Sequence, residues 1–102
     1  MRFDIRRQGI EMDEATRQRL ERRLEFALGR VERHVMRVWI HLADESGSRG
    51  LGLRCRILVR LHQGGDILVE DHDTDLTTLL DRTVNRAGLT VRRELERRHA
   101  LH

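Results

Sequence analysis

Four stretches of this chain alternate apolar with polar residues, and no apolar run exceeds three residues. Alternation of period two gives a strand one apolar and one polar face, so a sheet built from such strands has a single face to cover. Met1, Phe3 and Ile5 alternate with Arg2, Asp4 and Arg6, and Val38, Ile40 and Leu42 alternate with Arg37, Trp39 and His41. The clearest case is Leu53 to His62, where Leu53, Cys55, Ile57, Val59 and Leu61 oppose Arg54, Arg56, Leu58, Arg60 and His62. Gln63, Gly64 and Gly65 then turn the chain into a last strand, Asp66 to Asp71, with the glycines that tight hairpins require. Between the second and third strands, Asp44 to Gly52 is rich in Gly and Ser and reads as a flexible loop.

Two segments carry the helical period instead. Asp13, a good N-cap residue, precedes Leu20, Leu24, Ala27, Leu28 and Val31 at helical spacing, a stripe that Val35 could extend, and this helix is expected to end between Gly29 and His34. Leu76, Leu80, Val84, Ala87, Val91 and Leu95 form the stripe of a second helix running to about His99. Gly88 reads as its weak point, costing about 1 kcal/mol against alanine. The order is β-α-β-β-β-α, an α+β fold. A crossover of this kind sets strand two beside and parallel to strand one, and the later strands make an antiparallel meander. The result is a four-stranded mixed sheet with both helices on its one apolar face and the other face left to solvent or a partner.

At 102 residues the chain is expected to form one domain, residues 1–102, that buries roughly two-thirds of its unfolded surface. That excludes a multidomain enzyme. Hydrophobic residues make up 38% and charged residues 36%, too apolar for a disordered chain and too charged for a membrane span. The amino terminus carries no apolar segment of the signal-peptide kind, and the single cysteine, Cys55, cannot form an internal disulfide. A cytoplasmic location without a membrane partner is the expectation. All 20 basic residues are arginine. Without lysine or tyrosine, a net charge of +3 suffices to set the pI near 10.7, so the pI overstates the basicity. Exclusive use of arginine equally reflects a biased base composition. Because a guanidinium binds phosphate bidentately and stacks on bases, the positions of the arginines decide the matter.

Projected at about 100° per residue, the first helix segregates its charges by sign. Glu14, Glu21, Glu25 and Glu32 fall on one flank, and Arg19, Arg23, Arg30 and Arg33 on the other, with Arg22 beyond them and Phe26 among them. In the second helix Arg82, Arg86, Arg93 and Arg97 form a stripe away from the core, with Arg92 and Arg98 outside it. A solvated face explains charge, and a phosphate-tracking surface explains the segregation as well. The polar sheet face carries Trp39, Leu58 and Leu68 among arginines and histidines, either a cross-strand cluster or a stacking or partner surface. No phosphate-binding glycine loop, nucleophile elbow or zinc-protease motif occurs, so no catalytic residue, cofactor or metal ligand is expected. Glu70, Asp71, His72, Asp73 and Asp75 are the one acidic cluster, and they read as caps at the start of the second helix. Cys55, on the core face of its strand, reads as a small hydrophobe.

These features together resemble the ribosome hibernation-promoting factor and ribosome-associated inhibitor family, also called the sigma-54 modulation protein family. The resemblance rests on the opening strand, on Asp13-Glu14-Ala15 leading a helix with Arg22-Arg23, on the Gly64-Gly65 hairpin, and on the acidic lead-in to the second helix. Asp75-Leu76-Thr77-Thr78-Leu79-Leu80-Asp81 looks like the family's D-x-Y-x-A-I-D stretch, with Thr77 in place of tyrosine and Leu79 in place of alanine. Leu89 stands where the family commonly has a basic residue. The resemblance implies a fold like double-stranded-RNA-binding domains and a non-catalytic, stress-linked translation regulator. It implies that Arg22, Arg23, Arg82, Arg86, Arg92, Arg93 and Arg97 bind small-subunit ribosomal RNA where messenger and transfer RNA would sit. Because the chain stops shortly after the second helix, a short form without a dimerising second domain is expected. The alternative is a protein-interaction module that self-associates weakly or meets a partner through Trp39, Leu58 and Leu68.

Overall fold

A computed structural model describes residues 1–47 and 50–100. Asp13 accepts a hydrogen bond from the Thr16 backbone N–H at 2.8 Å, satisfying one of the donors a helix start leaves open, and α1 runs Glu14–Leu28. The chain continues as a 3-10 segment, Gly29–His34, within the interval expected for the helix end. The strands are β1 (Arg2–Gln8), β2 (Val35–Asp44), β3 (Leu53–Leu61) and β4 (Asp66–Asp73), and α2 spans Leu76–Ala100. The sheet order is β1-β2-β3-β4, with β1 parallel to β2 and the other pairs antiparallel. The expected β-α-β-β-β-α order and mixed sheet are therefore observed.

Register follows from burial. Val38, Ile40, Leu42, Cys55, Ile57, Val59 and Leu61 are buried beneath the helices, so Trp39 and its even-spaced neighbours face the other way. At the β3–β4 turn Gly64 and Gly65 both adopt φ of +94°, a conformation closed to most side chains. Arg98 of α2 donates to Gly64 O at 2.9 Å and ties the helix end to this turn. The Gly- and Ser-rich connection after β2 leaves residues 48 and 49 outside the described residues, but Glu45 N–H to Gly52 O at 2.7 Å closes it on either side.

The apolar stripe of α2 is wider than its spacing suggests. Leu79 and Thr83 are fully buried beside Leu80, Val84, Ala87 and Val91, because α2 packs on β3, β4 and α1 at once. Thr83 meets the cost of burial by donating its hydroxyl to Leu79 O at 2.6 Å. At Gly88 the two helices are in close contact: a Cβ there would sit 2.7 Å from Ala27 O. Its missing side chain is a packing requirement rather than a weakness.

Candidate functional site

The helical side of the molecule carries the seven arginines singled out above, and their partners differ sharply. Arg23 lies between the helices, its Nε 2.8 Å from the Asp81 carboxylate, which Arg19 also reaches at 3.3 Å. Arg92 crosses from α2 to donate to Ala27 O at 3.0 Å, taking up a carbonyl near the end of α1. Arg82 is the most heavily engaged. It donates to Asp71 at 2.6 Å, to Asp73 at 3.1 Å and to His72 O at 2.9 Å, fastening the first turns of α2 to the end of β4. Arg86 adds a bond to Glu70 O at 3.1 Å, and Arg97 pairs with Glu94 on its own helix. Among the described residues, Arg22 and Arg93 have no carboxylate or carbonyl partner.

The seven therefore do not form one continuous stripe. Arg22 and Arg23 lie on α1, Arg92 bridges the inter-helix groove, and Arg82, Arg86, Arg93 and Arg97 follow the flank of α2 beside β4. The sequence reading also passed over the cationic basin at the C-terminal ends of the helices. Arg30, Arg33, Arg92 and Arg98 line a cavity of about 960 Å³ there with His34, His99 and one carboxylate, Glu96, over an apolar floor that includes Val31 and Leu95. The negative ends of two helical dipoles favour cations at that place. The signal was present in sequence, since the helical projection put Arg30 and Arg33 on the basic flank, although the structure places both in the 3-10 segment after α1.

The acidic cluster is organised differently from a set of caps. Only Asp75 caps α2, accepting from the Thr78 N–H at 2.9 Å and from its hydroxyl at 2.6 Å. β4 extends to Asp73, so Glu70, Asp71 and Asp73 are strand residues held by arginines. Arg82 holds the Asp71 carboxyl below the usual range, and Arg54 does the same for Glu70. For Asp73 the larger cause is the Asp75 backbone N–H, with Arg82 second. Among the described residues no group of three or more His, Cys, Asp or Glu side chains is arranged to hold a metal ion. Cys55 is buried, and burial pushes its thiol up to about 12, so it stays protonated at neutral pH.

The open sheet face is equally rich in arginine; on its two central strands these arginines are neutralised, whereas Arg2 and Arg6 of the edge strand β1 are exposed with no carboxylate partner among the described residues. Arg37 pairs with Asp4, Arg60 with Asp66 at 3.0 Å, and Arg54 and Arg56 with Glu70 at 2.9 and 3.3 Å. The Arg37 and Arg60 guanidiniums, which face each other across β2 and β3, both lie over the Trp39 ring, 4.7 and 4.9 Å from its centroid. It stands opposite Leu58, which stands opposite Leu68, so the three form one cross-strand row.

Among solved structures, the chain is similar to the N-terminal domain of Protein Y from Thermus thermophilus. That match has a TM-score of 0.74 and 26% identity over 91% of this chain and 98% of that one. A ribosomal subunit interface protein from Coxiella burnetii matches with a TM-score of 0.77 and 16% identity, over 94% and 99% of the two chains, and shares the fold. Comparison with curated protein sequences returns no match. The sequence profile of the sigma 54 modulation protein / S30EA ribosomal protein family matches residues 3–99, nearly the whole length described above, and the chain belongs to that family.

Proposed function

We propose that this chain is a non-catalytic ribosome hibernation factor that acts in the cytoplasm, binding small-subunit ribosomal RNA through its helical side and excluding the ligands of the idle ribosome. The name of the Coxiella relative, a ribosomal subunit interface protein, supports a ribosomal partner. One contrast carries the choice of surface. The arginines of the two central strands are each paired with a carboxylate, and on the open sheet face only Arg2 and Arg6 of the edge strand are unpaired, whereas Arg22 and Arg93 on the helices, and the Arg30 and Arg33 side of the basin, have no carboxylate partner among the described residues. Unpaired guanidiniums gain most from phosphate, because no internal ion pair has to be given up.

Arg82 and Arg86 act in this reading mainly by holding α2 on β4, and Arg23 and Arg92 by holding the helices together. Their remaining N–H donors add to the phosphate surface. Co-sedimentation with purified small ribosomal subunits at low and high salt tests the proposal. Binding that weakens steeply as salt rises is expected, since counterion release supplies much of its free energy. Binding indifferent to salt, or no binding, would contradict it. Self-association through Trp39, Leu58 and Leu68 has a weaker basis, because two paired arginines already cover the Trp39 ring.

A further inference from the structure

Phe26 is 91% exposed on α1, although a phenylalanine loses more than most side chains by standing in water. It is not alone. Leu89 of α2, 39% exposed, lies across the inter-helix groove from it, and with Ala27 at the base they give an open groove of about 800 Å³ an apolar strip. The rest of the groove is polar and mainly cationic. Arg30 and Arg92 line it with Asn85, and Glu25 is its one carboxylate. Arg22 stands one helical turn before Phe26 on α1, and Arg30, in the 3-10 segment that follows α1, lines the groove beyond it.

An apolar ring flanked by guanidiniums suits one class of ligand better than another. An apolar side chain of a protein partner would gain from Phe26 and Leu89 but would desolvate the guanidiniums without pairing them. A nucleotide uses both features, its base on the ring and its phosphates on the arginines. Arg92 is already steadied by Ala27 O, and that bond uses one of its five N–H donors. Asn85 offers both a donor and an acceptor, which is what the edge of a base requires.

We propose that Phe26 is the stacking platform for one unpaired nucleobase of the bound RNA, with Arg22 and Arg30 on its flanking phosphates and Asn85 at its edge. The inference rests on the RNA reading above but invokes a different force. Stacking depends on the aromatic face and is nearly indifferent to salt, whereas the arginine contacts are not.

The test is binding of Phe26→Ala, Phe26→Leu and Phe26→Trp to purified small ribosomal subunits across a salt series. Because the ring is exposed, all three should melt like the parent protein. Phe26→Ala and Phe26→Leu should each bind about 10-fold more weakly, and Phe26→Trp at least as tightly as the parent, with the salt slope unchanged in all. In a Trp39→Phe background, Phe26→Trp leaves a single tryptophan, whose fluorescence should be quenched when a base stacks on it. Undiminished binding by Phe26→Ala would overturn the proposal. Full binding by Phe26→Leu would do so too, by making the contact an apolar protein one. Bound but unquenched Phe26→Trp would also overturn it. Failure of the parent protein to bind at any salt would instead be a failure of the RNA reading itself.

Discussion

At the scale of single residues, what a side chain faces matters more than what it is. Trp39 and Cys55 are both large or reactive enough to suggest function, and packing assigns each a structural role. The Cys55 thiol, buried and held protonated, has no route to chemistry at neutral pH. Trp39 sits half-buried on the open face under two guanidiniums that are themselves anchored by Asp4 and Asp66. Its removal forfeits two cation–π contacts and a cross-strand neighbour, each worth about 0.5–1 kcal/mol. Trp39→Ala should therefore cost about 2 kcal/mol in denaturant unfolding, below the roughly 3–5 kcal/mol of deleting a buried aromatic. A loss in that higher range would mean that the ring belongs to a second core. The alternation of Val38, Ile40 and Leu42 was enough to place Trp39 outward, because a two-residue period admits one register once a face is buried. Nothing comparable in sequence distinguishes Arg93, without a carboxylate partner among the described residues, from Arg82, bound by two carboxylates. That difference depends on where β4 ends.

At the scale of elements, the fold is legible where one neighbour decides burial and opaque where two do. Strands have a single covering layer, and their apolar faces could be read directly. α2 packs on the sheet and on α1 together, so Leu79 and Thr83 are buried outside the stripe that spacing alone picks out. The same crowding inverts the expectation for Gly88. Helix propensity would make Gly88→Ala stabilising by roughly 0.5–1 kcal/mol. The new Cβ, however, would lie 2.7 Å from Ala27 O, a backbone atom already fixed by its bond to Arg92. Gly88→Ala should therefore destabilise the protein by about 1–3 kcal/mol, as overpacking does, measured by chemical denaturation. A gain in stability would show that α1 can back away from α2 freely. The acidic segment before α2 misled for a related reason. Carboxylates near a helix start usually cap it, but β4 extends to Asp73, which makes Asp71 and Asp73 ties between strand and helix.

At the scale of the whole molecule, a network of arginine–carboxylate pairs joins strand to strand and helix to sheet, and this sets the response to acid. Arg82 lowers the Asp71 carboxyl, Arg54 the Glu70 carboxyl, Arg60 the Asp66 carboxyl and Arg97 the Glu94 carboxyl. Groups whose acidity is strengthened by folding contribute stability above the unfolded carboxylate values, about 3.9 for Asp and 4.3 for Glu. That contribution disappears as the pH falls through the lower folded values. The melting temperature should thus be nearly level from about pH 7 to 5 as far as these groups decide it, and drop below about pH 4. A drop already complete at pH 5 would contradict the pairing described here. The same network divides the surface, neutralising the central strands and leaving part of the helical side uncompensated. The central claim is that this uncompensated side meets ribosomal RNA. Its most direct test compares the salt dependence of small-subunit binding for the parent protein, for Arg22→Gln with Arg93→Gln, and for the sheet-face variant Arg56→Gln. The helix double variant should bind more weakly and flatten the slope by about one unit per lost phosphate contact, while Arg56→Gln leaves the slope unchanged. An unchanged slope in the folded double variant, or a flattened one in Arg56→Gln, would contradict the account.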